Sequence, residues 1–203
     1  MTKKQTRTNT QKLVIMALLA AVMVILSSTP LGYLNIGPLA ITLNVIPMGI
    51  AAVALGPTGG AVIGGIFGLT SFLQCIGVGG TSAMGVITFG ISPVLTFIQR
   101  FIPRLLAGLI IGFIHKYLSK KFGKKTVCFI TGFLAAFLNT LFFMSALVLL
   151  FGNTDYLQEL IAGRNIIVFI CTFVGINAVF EMIASTLITG AVGSALYKAK
   201  AIK

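Results

Sequence analysis

Acidic side chains are nearly absent from this chain. Its 203 residues hold three, Asp155, Glu159 and Glu181, and a single histidine, His115. Chemistry that needs paired carboxylates or a histidine base has almost nothing to draw on. Cysteine is scarce as well: Cys75, Cys128 and Cys171 stand far apart with no CxxC pair. They supply neither a zinc site nor a disulfide framework and are expected to fill space in helices. No GxxxxGK[ST] run occurs, which removes a phosphate-binding loop. An enzyme is not expected, and no metal or cofactor is expected on this chain.

Charge of either sign is thin. Charged residues make up 9%, where a soluble domain carries roughly a quarter. Apolar residues make up 57%, with 23 glycines and a mean hydropathy of +1.06. This composition describes an all-α integral membrane protein of one domain. The net charge of +12 does not point to nucleic acid. Twelve basic residues gather in three clusters: Lys3, Lys4, Arg7 and Lys12; Lys116, Lys120, Lys121, Lys124 and Lys125; Lys198, Lys200 and Lys203. Each cluster abuts an apolar run, as the positive-inside rule requires of cytoplasmic loops. His115, beside the second cluster, is expected to be an interfacial residue.

The apolar runs divide into six spans. A basic N-terminus, residues 1–11, is expected to be disordered, and a short basic tail, residues 198–203, to lie at the other end. Between them, residues 12–197 form the membrane-embedded domain. The first helix is expected over Lys12–Ser28, with Leu13–Leu26 serving as a span rather than a cleaved leader. A turn, Thr29–Pro38, leads to a second helix over Leu39–Leu55, where Pro47 is expected to bend or loosen the backbone. Gly56-Pro57 then joins it tightly to a third helix, Pro57–Cys75. Glycines at 56, 60, 64 and 68 form a four-residue ladder that lets a neighbouring helix approach closely. Ile76–Ser92 reads as an irregular loop, either a lid or a re-entrant or simply connecting segment. Ser92-Pro93 opens a fourth helix to Ser119, with a kink expected at Pro103. The fifth covers Thr126–Phe151. A polar loop with Asp155, Glu159 and Arg164 precedes the sixth, Ile166–Tyr197. Six spans place both termini in the cytoplasm, on the side of the twelve basic residues.

Polar residues inside spans carry the functional signal, because they cost free energy there and face a partner or a cavity. Arg100 and Arg104 share one face of the fourth helix. A helix restarting at Pro103 would put Arg104 in a first turn, where free N–H groups and a forked guanidinium would clamp an anion, in particular a carboxylate. Snorkelling to lipid headgroups is the alternative. On the sixth helix, Asn177, Glu181 and Ser185 form a stripe. Glu181 stays open between interhelical hydrogen bonding, ligand contact and a proton relay. Asn44, Asn139 and Thr140 are buried polar groups that suit either a polar ligand or helix–helix bonds. Gln74 closes the third helix near the outer side and could line the same pocket. Ala17 and Ala21, four apart on the first helix, invite another helix to pack against them.

The blocks IGPLAITLNVIPMGIAAVALGPTGGAVIGGIFGLTSF, FIPRLLAG, FLNTLFF and NAVFEMIAS resemble the substrate-binding S-components of energy-coupling-factor (ECF) vitamin transporters. Within that group the likeness is to the pantothenate type. The resemblance implies six helices in a bacterial plasma membrane, a vitamin site near the outer face, and a lid from the loops after the first and third helices. It implies that energy comes from partners, a transmembrane coupling (T) subunit and two cytoplasmic ATPases that use ATP. It also implies that the AxxxA pattern, here Ala17 and Ala21, faces the coupling subunit. Arg104 would then clamp a vitamin carboxylate, with Asn44, Asn139 and Asn177 as amide partners and Gln74 and Glu181 as secondary contacts. Pantothenate-type relatives often carry a histidine before the Ile-Pro of the second helix, and this chain has Asn44-Val45 there. Riboflavin, biotin or niacin remain alternative ligands, and a stand-alone secondary transporter is an alternative function.

Overall fold

The structure, a computed structural model, describes residues 3–29, 32–35, 40–163, 165–199 and 201–202. Seven α-helices are described, with one short strand ribbon between the first two. Helix α1 covers Lys3–Ser27, α2 Val45–Leu73, α3 Ala83–Ile91, α4 Pro93–Leu118, α5 Lys124–Phe151, α6 Asp155–Ile161 and α7 Ile166–Lys198. Strands β1, Tyr33–Asn35, and β2, Ala40–Thr42, pair antiparallel. Five stretches of helix are long and apolar enough to cross a membrane, one each in α1, α2, α4, α5 and α7.

Helix α2 is folded double. Gly56 has φ 72° and ψ −155°, outside helical space, in a region that glycine enters without steric cost. Antiparallel legs follow from it. A Cβ on Gly60 would meet the Ala52 side chain at 3.3 Å, and one on Gly64 would meet Met48 at 3.3 Å. Pro57 opens the second leg, where its missing N–H is not needed. The ladder beyond it does what its spacing predicts. Gly60 lies against the Gly108 carbonyl, Gly64 against that of Arg104, and Gly68 against Phe101 Cα, so this leg and α4 approach backbone to backbone. Gly112 of α4 in turn meets Pro57 at the fold-back.

Several expected boundaries shift. Helix α1 starts at Lys3 rather than Lys12, so residues 3–11 of the expected disordered N-terminus are helical. The second expected helix begins at Val45, because residues 40–44 belong to β2 and a turn. Pro47 therefore falls in a first turn, where its lack of an N–H costs nothing, and the bend expected there is absent. The first leg, 45–55, has about eleven residues and reaches only about 16 Å. Residues 83–91 of the expected loop are helical, capped by Ser82, whose hydroxyl accepts from Gly85 N at 3.2 Å. Helix α4 runs unbroken through Pro103, so Arg104 occupies a helix interior and not a first turn. The polar loop contains α6, capped by Thr154; the Arg164 expected there lies outside the described residues. Helix α7 is broken at Gly175, with φ 29° and ψ −122°.

Two apolar clusters fill the molecule. The larger joins α1, α2, α4 and α5 through Leu19, Met23, Met48, Ile63, Phe67 and Ile111, among others. The smaller joins α3, α5, α6 and the start of α7 through Met84, Met144, Leu147, Phe151, Leu157 and Phe169. This second cluster sits at the end far from the lysines, beside the first turns of α4.

The basic end is clamped by a residue expected at an interface. His115 is buried, with Nδ1 2.8 Å from Thr131 Oγ1 and Nε2 3.1 Å from Tyr197 Oη. Thr131 donates its one hydroxyl proton to the Val127 carbonyl at 2.7 Å. Its oxygen must then accept from His115, which fixes a proton on Nδ1. The lone cluster histidine thus links α4, α5 and α7. At the far end, the Gln74 amide donates to the Ser27 carbonyl at 2.7 Å, and Thr70 to the Ser27 hydroxyl at 3.0 Å, tying α1 to α2.

Candidate functional site

Helix α4 presents its polar side chains to the bundle. Thr96, Gln99, Arg100 and Arg104 are all buried, in the first half of a helix whose other faces are apolar. A guanidinium on a lipid-facing surface would snorkel to water; these two, at 5% and 4% exposure, point inward. Arg100 donates to Ser71 of α2 and to Ser82, the cap of α3, both at 3.3 Å. It therefore braces three elements. Arg104 donates to the Arg100 carbonyl at 2.7 Å. Its guanidinium lies over Phe67 at 4.5 Å and over Phe143 at 4.8 Å. Two aromatic faces favour a cation and hold its plane in place. Arg100 shares the Phe143 ring at 5.3 Å.

Facing this pair across the bundle is the one carboxylate inside a span. Glu181 is 5% exposed, and its Oε1 accepts from the Thr42 amide at 2.6 Å. The Arg104 charge acts on this carboxyl. The other two acids, Asp155 and Glu159, are exposed on α6. Helix α6 nonetheless lies over the same region. Burial raises the Tyr156 phenol above its ordinary range, against an opposing pull from the Arg100 charge.

The expected amides fall into two groups. Asn44 is fully buried at the head of α2, and neither side-chain atom has a hydrogen-bond partner. Asn139 is 4% exposed on α5, one turn from Phe143, with Oδ1 unpartnered. Asn177 is buried on α7 one turn before Glu181. Gln74 spends its amide on α1, and Ser185 donates to the Gly132 carbonyl at 2.8 Å, so both serve helix–helix contacts. Asn44, Arg104, Asn139 and Glu181 thus come from four elements toward one level of the bundle. The arrangement suits an anion with further hydrogen-bonding groups. Among the described residues no cluster of three or more His, Cys, Asp or Glu could hold a metal.

Sequence reasoning missed the two phenylalanine walls, the Thr42–Glu181 bond and Gln99. Gln99 could have been noticed, as a polar side chain in a span on the buried face of α4. The walls could not, because sixteen phenylalanines in apolar runs look alike.

Over residues 11–193 the sequence matches the family described as ECF transporter, substrate-specific component. The chain belongs to that family. No curated protein is similar enough to match it. An ECF substrate-specific component binds a transporter's substrate and is not an enzyme class, which agrees with the lack of acid–base machinery. Such components work with a T subunit and ATPases. In this S-component Ala17 and Ala21 are exposed on α1, while Leu19 and Met23 of the same helix are buried in the bundle.

Proposed function

We propose that this S-component captures an anionic vitamin, pantothenate first, from outside a bacterial cell membrane for ATP-driven uptake. The observation that carries the reading is the imbalance of buried charge. Two guanidiniums lie inside the bundle with a single carboxylate, Glu181. A buried guanidinium keeps a fork of several donors, and a ligand carboxylate would engage that fork alongside its protein contacts. Arg104 is the clamp, with its guanidinium against the rings of Phe67 and Phe143. Asn44, Asn139 and Asn177 offer amides to the rest of the ligand, while Gln74 and Glu181 hold the frame around it. The strand ribbon over Glu181 and the α3–α6 end form the cover.

A chain that passes six times, counting the two legs of α2 separately, with both termini cytoplasmic, would fit this reading. Tyr197 meets His115 beside the lysine cluster, and Ser27 meets Gln74 at the far end. The exposed Ala17–Ala21 face is offered to a T subunit, and two ATPases supply the energy. The test is mass spectrometry of the small molecule that co-purifies, followed by calorimetric binding. Pantothenate should be recovered, and Arg104→Ala should weaken its binding roughly 10–100-fold, as expected for a lost charge-assisted bond. Unchanged affinity would sink the clamp. Recovery of biotin or niacin would change the vitamin and keep the site.

A further inference from the structure

Gln99 is fully buried, and neither its Oε1 nor its Nε2 has a hydrogen-bond partner. Thr96, one turn toward the far end on the same buried face, is also fully buried with its hydroxyl unpartnered. Pro103 adds to this, since it has no N–H to give the Gln99 carbonyl four residues back. Polar capacity is therefore concentrated on one short stretch of α4. It is closed in on one side by the apolar cluster that Leu95 packs against and is followed directly by Arg100.

A buried amide without a partner loses its water and gains nothing in return. Had Gln99 been interhelical glue, its amide would meet a carbonyl or hydroxyl, as the Gln74 amide and the Ser185 hydroxyl each meet a carbonyl. Thr96, Thr189 and Ser194 all have unpartnered hydroxyls, but a helical hydroxyl can turn to the carbonyl four residues back, so the weight falls on Gln99. A glutamine amide, with two donors and an acceptor to satisfy, has no such refuge.

We infer that Gln99 forms an uncharged polar subsite on the Arg104 helix and reads a hydroxyl or amide of the ligand. The inference rests on the reading of this chain as a vitamin-capture subunit and adds a specificity residue to it. The carboxylate would go to Arg104, and the neutral polar end to Gln99. A site built to hydrogen-bond a group discriminates strongly against an analogue without it.

The test compares full-length wild type with Gln99→Met, which keeps length and apolar bulk. Ligand-free melting should be no lower in the variant, because an unsatisfied group has been removed. Pantothenate affinity should fall roughly 10–100-fold, while a deoxypantothenate lacking the recognised hydroxyl should lose less than about threefold. A melting point several degrees lower would show a structural partner and overturn the inference. So would wild-type affinity for pantothenate, or equal losses for both compounds, which would mean a change of shape only. If wild type binds no pantothenate, the vitamin assignment fails separately, and the ligand-free melting comparison still decides Gln99.

Discussion

The amide of Thr42 donates to Glu181 Oε1 at 2.6 Å, across 139 positions of sequence. A three-residue strand is thereby fastened to the last long helix, directly over the level of Arg104. A two-stranded hairpin alone is marginal, so this bond adds to what holds the ribbon in place. Glu181→Ala should therefore speed ligand release about tenfold or more while slowing capture far less. Glu181→Gln keeps an acceptor oxygen and should stay within a few-fold of wild type. Stopped-flow fluorescence with pantothenate separates the two rates, and equal effects of the two variants would contradict the fastening role.

Asn44 is fully buried with both amide atoms unpartnered. Asn44→Leu should leave ligand-free melting unchanged or slightly higher. It should weaken pantothenate binding by roughly tenfold, the worth of one lost hydrogen bond to the ligand. A protein destabilised without ligand would mean that the amide has structural work instead.

The close approach of α2 and α4 depends on glycines whose missing Cβ would strike backbone. At Gly60 and Gly108 each added methyl would meet the other's carbonyl. Gly60→Ala and Gly108→Ala should each lower the melting temperature in detergent by several degrees, as overpacking costs about 1–3 kcal/mol. Gly90→Ala, on α3 with open space around it, should be neutral or stabilise by a few tenths to about 1 kcal/mol. Differential scanning fluorimetry of the three variants checks the contrast.

His115 lies at the opposite end of the bundle from the arginines. Its replacement by Ala leaves Thr131 and Tyr197 without their shared partner and should cost about 1–3 kcal/mol of stability. Pantothenate affinity at a temperature where the variant is folded should match wild type. A large loss of affinity would show the two ends to be coupled.

Much of the frame is legible in the sequence, because its signals are local. The glycine ladder, Gly56-Pro57 and Ser92-Pro93 each act within a turn or two of helix, and the structure follows them. Non-local partners are another matter. His115 beside Lys116 reads as an interfacial pair, yet Thr131 and Tyr197, 16 and 82 positions away, draw it inside. Pro103 reads as a break, but the surrounding helices keep α4 straight enough to remain one element. Tyr33–Asn35 is too short for alternation to reveal a strand. Of the candidate site, Asn44, Arg104, Asn139 and Asn177 were visible as polar residues in apolar runs, whereas Phe67 and Phe143 acquire meaning only beside a guanidinium.

The fold-back at Gly56 also constrains how the protein is made. A leg of about eleven residues covers roughly half of a hydrocarbon core about 30 Å thick. Such a segment is too short to be recognised alone as it leaves the ribosome. Residues 45–73 are therefore expected to enter the bilayer as one unit, the short leg carried in by the long one.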